Sequence, residues 1–96
     1  MTQEQLIDEF INGAKEGVCS GGKNLKIESE KLIHYQTPIA ERYKGRFIIN
    51  VTRYSLVTGR LQKILCERIP AEKQIIVKRV KEGYRESLSD FMEDTK

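Results

Sequence analysis

The run Phe47 to Thr52, FIINVT, constrains the fold of this chain more than any other feature of the sequence. β-Branched and aromatic residues of this kind are enriched in strands, because they fit a pleated, half-buried surface. The run is apolar almost without interruption, which is typical of a strand that is buried on both faces. We therefore expect a central strand here, with a helix packed on one of its faces.

Shorter strands are predicted on the N-terminal side of this run, within residues 24–53. Residues 24–35 alternate weakly and indicate a short hairpin, and residues 37–43 indicate a third strand. A Lys-Gly-Arg turn at 44–46 then leads into FIINVT. The pattern predicts an antiparallel β-meander.

A helix is predicted on the N-terminal side of the meander, at residues 1–16. Thr2 and Gln5 fit a capping box, in which each side chain satisfies a backbone amide of the other residue. The residues that follow have an apolar stripe at helical spacing, which is expected to pack on the sheet. Its members are Leu6, Ile7, Phe10, Ile11 and Ala14.

A second, long helix is predicted at residues 70–92. Ile76, Val80, Tyr84 and Leu88 recur at every fourth position. Pro70 suits the first turn of such a helix, because its missing N–H is not needed there.

The segment 59–68 has two interpretations. Thr58 can cap a helix that has apolar residues at helical spacing, and the sequence favours this reading. Alternatively, Thr58 and Gly59 form a hairpin turn, and residues 61–66 are a fourth strand.

These elements predict one α+β domain over residues 1–96. A small antiparallel sheet of three to four short strands is covered by the N-terminal helix and the long C-terminal helix. No apolar run approaches the roughly 18 residues of a membrane span, and the segment MTQEQLIDEF is too polar for a signal peptide. We expect a cytoplasmic protein that does not contact a membrane.

Residues 17–24, GVCSGGKN, nearly match the phosphate-binding motif G-x-x-x-x-G-K-[ST]. That motif requires a strand before it and a helix after it, so that the helix N-terminus and the lysine reach the phosphates. Here a helix precedes the segment, a strand is expected to follow, and Asn24 replaces the hydroxyl that would bind magnesium. We interpret the segment as a flexible connector.

No set of catalytic or metal-binding residues can be named in the sequence. Nucleophilic catalysis needs a base beside the nucleophile, and His34 is the only histidine. A zinc site needs about four ligands, usually in close pairs, whereas Cys19, Cys66 and His34 are far apart in the sequence. We therefore expect a protein that is not an enzyme and that binds neither a metal nor another cofactor.

Positive charge is concentrated in the middle of the chain. Residues 1–22 have one basic and four acidic side chains, whereas residues 52–82 have eight basic and three acidic ones. A basic middle between acidic ends is compatible with binding to a polyanion, and also with an ordinary solvated surface of mixed charge.

Basic, aromatic and neutral hydrogen-bonding residues are interleaved between positions 42 and 63. Cations neutralise phosphates, tyrosines stack on unpaired bases, and hydroxyl or amide groups contact phosphates or base edges. Alternatively, the tyrosines only close the edge of the core and the cations only keep the sheet soluble. The pattern predicts DNA or RNA binding through Arg42, Lys44, Arg46, Arg53, Tyr54, Thr58, Arg60, Gln62 and Lys63.

One spacing pattern in this region also resembles a known group of proteins. The pattern is Tyr35-x-Thr37-x-Ile39-Ala40-x-Arg42, followed by Asn50-x3-Tyr54-Ser55-x2-Thr58-x3-Gln62. It is similar to a pattern in small uncharacterised proteins of Gram-positive phages and conjugative elements, and it covers under a third of the chain. Leu61 stands where those proteins often have a histidine. The resemblance implies a mobile-element origin and a shared scaffold, but no reaction.

Two functions are therefore expected from the sequence. The first is a non-enzymatic accessory protein of a mobile element that binds nucleic acid through the surface between Arg42 and Lys63. The second is a protein–protein interaction module, either an inhibitor or adaptor of a host or element protein, or a homodimer formed through the last helix.

Overall fold

The computed structural model describes residues 2–19 and 25–92, which form two α-helices and six β-strands. The predicted connector at 17–24 is wrong in its first part, because Gly17 and Val18 belong to a strand, and residues 20–24 lie outside the described residues. Short 3₁₀ helices occupy Ala71–Lys73 and Leu88–Phe91. In chain order the other elements are α1 (Gln3–Ile11), β1 (Glu16–Val18), β2 (Leu25–Glu28), β3 (Lys31–His34), β4 (Thr37–Tyr43), β5 (Arg46–Asn50), α2 (Leu56–Arg68) and β6 (Gln74–Val77).

The six strands form one sheet, in which their spatial order follows their order in the chain. Neighbours from β1 to β5 are antiparallel, whereas β5 and β6 are parallel. The prediction of an antiparallel sheet with three to four strands is therefore wrong. It missed β1, which is too short to show an alternating pattern, and β6, which it assigned to a helix.

The expectation of a strand that is buried on both faces is confirmed for β5. Phe47 and Ile49 pack into the hydrophobic cluster beneath α1 and α2, whereas Ile48 packs into a second cluster on the opposite face. β5 also has a neighbouring strand on each side. It therefore takes part in two strand pairings as well as in both hydrophobic clusters.

The N-terminus of α1 carries the predicted capping box. The Gln5 N–H donates to Thr2 Oγ1 at 3.0 Å, and the Thr2 N–H donates to Gln5 Oε1 at 2.8 Å. The helix ends at Ile11 and does not reach residue 16 as predicted. Gly13 has a φ of 103°, in the region that glycine adopts readily after the end of a helix.

The segment 59–68 lies within α2, so the alternative of a strand at residues 61–66 is wrong. The helix begins earlier than predicted, with Ser55 and not Thr58 as its N-cap, and the Thr58 N–H donates to Ser55 Oγ at 3.2 Å. Because β5 and β6 are parallel, α2 is the crossover that connects them in a β-α-β unit.

The prediction of a long helix at 70–92 is wrong. Residues Gln74–Val77 form β6, whose β-branched side chains suit a strand. Arg79 and Gly83 then have φ values of 65° and 80°, which a continuous right-handed helix does not contain. An apolar residue at every fourth position was a misleading signal, because a strand followed by an irregular segment can show the same spacing. The homodimer was predicted from this helix and therefore loses its structural basis.

The irregular segment 78–92 covers the face of the sheet opposite the helices. Its apolar side chains form the second hydrophobic cluster with Ile48 of β5. Glu41 of β4 holds the segment in place, because its carboxylate accepts hydrogen bonds from the Leu88 N–H at 2.7 Å and from the Ser87 hydroxyl at 2.8 Å. The sheet is therefore covered on both faces, by helices on one and by irregular chain on the other.

A pair of Leu→Ala variants tests this covering role. Leu88 has no exposed surface, so Leu88→Ala leaves a cavity and should lower the free energy of unfolding by about 2–5 kcal/mol in urea denaturation. Leu56 is 93% exposed, so Leu56→Ala is the matched control and should change stability by less than about 0.5 kcal/mol. Equal stability of the two variants would show that segment 78–92 does not pack on the sheet.

Candidate nucleic-acid interface

The nine residues predicted to bind nucleic acid do not form one surface. Four of them make hydrogen bonds inside the fold, two lie at the turn between β4 and β5, and three are exposed cations that line a groove beside α2, which Tyr54 and Gln62 of the first group also line. In that order they are Arg42, Tyr54, Thr58 and Gln62, then Lys44 and Arg46, then Arg53, Arg60 and Lys63.

Arg42 has a structural role. Its Nη1 donates to the carbonyl of Phe10, and its Nη2 donates to the carbonyls of Ala14 and Ser29, both at 2.6 Å. Its Nε donates to Glu30 Oε1 at 2.9 Å. The guanidinium group therefore ties the C-terminal end of α1 to the β2–β3 turn, and these contacts occupy the nitrogens that would otherwise bind phosphate.

Three polar side chains connect the end of β5 to α2, and we call Asn50, Tyr54 and Gln62 the crossover network. Asn50 Nδ2 donates to the carbonyl of Pro38 and to Tyr54 Oη, both at 3.0 Å. Gln62 Nε2 donates to the carbonyls of Asn50 at 2.7 Å and Thr52 at 2.9 Å. Asn50 and Gln62 are buried, so these bonds satisfy groups that water does not reach.

Residues in and beside the crossover network also hold segment 78–92 against the sheet. Tyr54 Oη donates to the carbonyl of Val80 at 2.6 Å, and the Val80 N–H donates to Thr52 Oγ1 at 2.9 Å. The Gly83 N–H donates to Thr37 Oγ1 at 2.8 Å. Several residues of the phage-like spacing pattern therefore make contacts within the fold.

A chain of hydroxyl and imidazole groups joins β3 to the N-terminus of α2. Thr58 Oγ1 lies 2.9 Å from His34 Nδ1 and 3.0 Å from Ser55 Oγ. Burial lowers the pKa of His34 below its ordinary value, which favours the neutral imidazole. A hydroxyl beside an imidazole is one requirement of nucleophilic catalysis, but Thr58 is only 5% exposed and a substrate has little access to it. We interpret these contacts as structural.

The remaining three cations, Arg53, Arg60 and Lys63, line one open groove of about 690 Å³, which we call the α2 groove. Arg60 and Lys63 are three residues apart on α2 and therefore lie on the same face of the helix, and Arg53 comes from the β5–α2 connection. Among the described residues that line the groove, none is acidic. The others are Val51, Tyr54, Ser55, Leu56, Gly59 and Gln62.

Lys44 and Arg46 lie at the opposite end of β5. They line a second hollow with Lys73, Arg42 and Glu30, in which Glu30 forms an ion pair with Arg42 at 2.9 Å. At a rise of about 3.3 Å per residue, the length of β5 separates the two groups by roughly 17 Å. The exposed cations among the predicted residues therefore divide into two patches.

Sequence reasoning missed Lys73 and Leu56 as members of these sites. Lys73 was assigned to the predicted last helix, so nothing placed it beside Arg46. Leu56 precedes the apolar positions of α2 but is almost fully exposed at the mouth of the α2 groove, and no sequence signal distinguishes it from a core leucine. The Ser55 cap was detectable, because serine before an apolar-periodic segment is a helix-start signal.

Comparison with protein-family models, with curated proteins and with solved structures found no match. Within residues 2–19 and 25–92, no helix is long and apolar enough to cross a membrane. The same residues contain no group of three or more His, Cys, Asp or Glu side chains placed to hold a metal ion. The function must therefore be argued from the geometry and charge of the surface.

Gln62→Ala tests whether the crossover network is structural. The variant removes the donor to the buried carbonyl of Asn50 and to the partly buried carbonyl of Thr52, so the free energy of unfolding should fall by about 1–3 kcal/mol in urea denaturation. Lys63→Ala, an exposed neighbour on the same helix, should be close to neutral. An unchanged stability of Gln62→Ala would instead leave the side chain available for ligand contacts.

The buried imidazole of His34 predicts a dependence of stability on pH. The unfolded chain binds a proton near the ordinary pKa of 6.5, whereas the folded protein resists protonation. Stability should therefore be complete above about pH 6.5 and should decrease as the pH falls below it, until the folded protein is protonated as well. Urea denaturation between about pH 8 and pH 5 measures this, and His34→Asn should remove the decrease. A wild-type stability that rises on acidification would show that the folded protein prefers the charged imidazole.

Proposed function

We propose that the protein is a non-enzymatic accessory protein of a mobile element, and that it binds nucleic acid through the α2 groove. The observation that carries the proposal is the set of three exposed cations, Arg53, Arg60 and Lys63, in one groove whose described lining has no acid. Such a groove concentrates positive potential and attracts a phosphate backbone. The mobile-element part rests on the resemblance of the Tyr35–Gln62 spacing pattern to proteins of phages and conjugative elements.

The position of the groove supports binding by a rigid surface. Arg60 and Lys63 lie on α2, and the intervening Gln62 anchors that helix to the carbonyls at the end of β5. Arg53 lies between two anchored residues, Thr52 and Tyr54, whose side chains hold segment 78–92. The three cations are therefore displayed by an ordered scaffold, which reduces the entropy lost on binding.

The contacts are expected to be with phosphates and not with base edges. Thr58 and Gln62, which the sequence suggested as base-reading groups, make hydrogen bonds inside the fold. Phosphate contacts position a protein on nucleic acid but do not read its sequence. We therefore expect binding with little sequence preference, and the exposed Leu56 beside the cations gives an apolar contact for an unpaired base.

A double variant tests the proposal. Arg53→Ala/Arg60→Ala should weaken binding by about tenfold or more and should reduce the slope of log K against log salt by about two. The measurement is fluorescence anisotropy with labelled single-stranded DNA, duplex DNA and RNA, at low and at near-physiological salt. Unfolding curves establish that the variant is folded.

The matched control is Arg46→Ala/Lys73→Ala, which removes the same charge from the second hollow. It should retain most of the affinity. An equal loss in both double variants would show that binding follows net charge alone and is not located in the α2 groove. Binding that disappears at modest salt in the wild-type protein would contradict the nucleic-acid function and favour a protein partner.

A further inference from the structure

Strand β6 is an edge of the sheet, since in the described part of the chain its one neighbour is β5. The Val51 N–H donates to the carbonyl of Val77 at 2.9 Å, so the backbone groups of Val77 face β5. Neighbouring residues of a strand direct their backbone groups to opposite sides. The N–H and C=O of Ile76 therefore face the open edge, where another strand can bind to them.

The side chain of Ile76 is also accessible. Gln74 Nε2 donates to the carbonyls of Cys66 and Ile69, both at 2.8 Å, so Gln74 lies on the face that α2 covers. Ile76 is two residues further on and shares that face, but it is 47% exposed. An apolar side chain beside outward-facing backbone groups is what an added strand uses as an anchor.

A hollow lies at the C-terminal end of this edge. It is lined by Ile76, Val77, Lys78, Arg79 and Phe91. Ile76 lies on the helix face of the sheet, whereas Phe91 belongs to the cluster on the opposite face. Because residues from both faces line one hollow, the hollow lies at the edge itself, beside the C-terminal half of β6.

The charge around this edge is strongly positive. Residues 72–81 have four basic side chains and one acidic side chain, and all five are exposed. Lys73 precedes β6, and Lys78 and Arg79 follow it, so cations flank both ends of the strand. Carboxylates that alternate along an extended peptide would complement these cations.

We propose that the open edge of β6 binds an acidic, extended segment of a partner protein as a seventh strand. This site lies at the β6 edge of the sheet and does not depend on nucleic-acid binding in the α2 groove. A second copy of the chain is a poorer occupant, because it would bring two sets of flanking cations together. Nucleic acid would complement the charges but not the outward-facing backbone groups or the Ile76 side chain.

The opposite edge gives a useful contrast. β1 has only three residues and includes Glu16 and Gly17, which are features that protect an edge from pairing. Val18 at this edge is exposed, as Ile76 is at the other. Lysine substitutions at Val18 and Ile76 therefore make a matched pair, in which the same charge is placed on either edge of the sheet.

The test uses two labelled peptides, one of alternating Glu and Val and one of alternating Lys and Val, with the full chain. Binding is measured by anisotropy, and hydrogen exchange of the Ile76 amide is followed by NMR. The Glu/Val peptide should bind and slow exchange of this amide, and the Lys/Val peptide should not. Ile76→Lys should weaken binding by about tenfold or more, whereas Val18→Lys and Arg53→Ala/Arg60→Ala should leave it unchanged.

A charge-reversal variant keeps the test informative if Ile76→Lys perturbs the fold. Lys73→Glu/Lys78→Glu should reverse the preference from the Glu/Val peptide to the Lys/Val peptide. The proposal is overturned if neither peptide protects the Ile76 amide, or if single-stranded DNA protects it and the Glu/Val peptide does not. It is also overturned if sedimentation shows a dimer whose formation already protects this amide.

Discussion

The side-chain amide of Gln62 joins the two elements around which this fold is arranged, β5 and α2. It donates to the carbonyls of Asn50 and Thr52, and so holds α2 against the strand from which the helix departs. A parallel strand can join the sheet only through a crossover that returns to it, so the position of β6 depends on the position of α2. Both hydrophobic clusters include residues of β5, so this polar junction lies at the end of the strand that the two clusters share.

The fold uses its arginines in two different ways. Arg42 lies against the Phe10 ring at 4.6 Å and donates to three backbone carbonyls, so its charge is used to connect elements of the fold. Arg53 and Arg60 are exposed in the α2 groove and are available to a ligand. All three occur in the same basic stretch, which also contains tyrosines, and the sequence pattern therefore predicted the same binding role for each of them. They differ because α1 packs against Arg42, and the residues that form α1 are distant from Arg42 in the sequence.

Sequence patterns predicted the elements that local interactions decide. The capping box of Thr2 and Gln5 and the buried strand around Ile48 need only their own residues to be recognised. The patterns failed where a distant partner decides the structure. Gln74–Val77 is a strand because β5 offers it an unpaired side, and no periodicity within residues 70–92 contains that information. The candidate binding residues were predicted by type, but their separation into structural and exposed groups follows from the tertiary fold.

The parallel pairing of β5 with β6 has a consequence for the order in which the protein forms. The pairs between β2 and β5 join strands that are adjacent in the chain, whereas Phe47 is aligned with Gln74 across the whole of α2. Contacts between distant residues form more slowly, because a longer loop must close first. During synthesis the meander can assemble while Ile48 still lacks the cover that residues 78–92 supply. Until residues 78–92 have been synthesised, the apolar surface around Ile48 is therefore open to solvent, and apolar surface exposed in this way favours aggregation and chaperone binding.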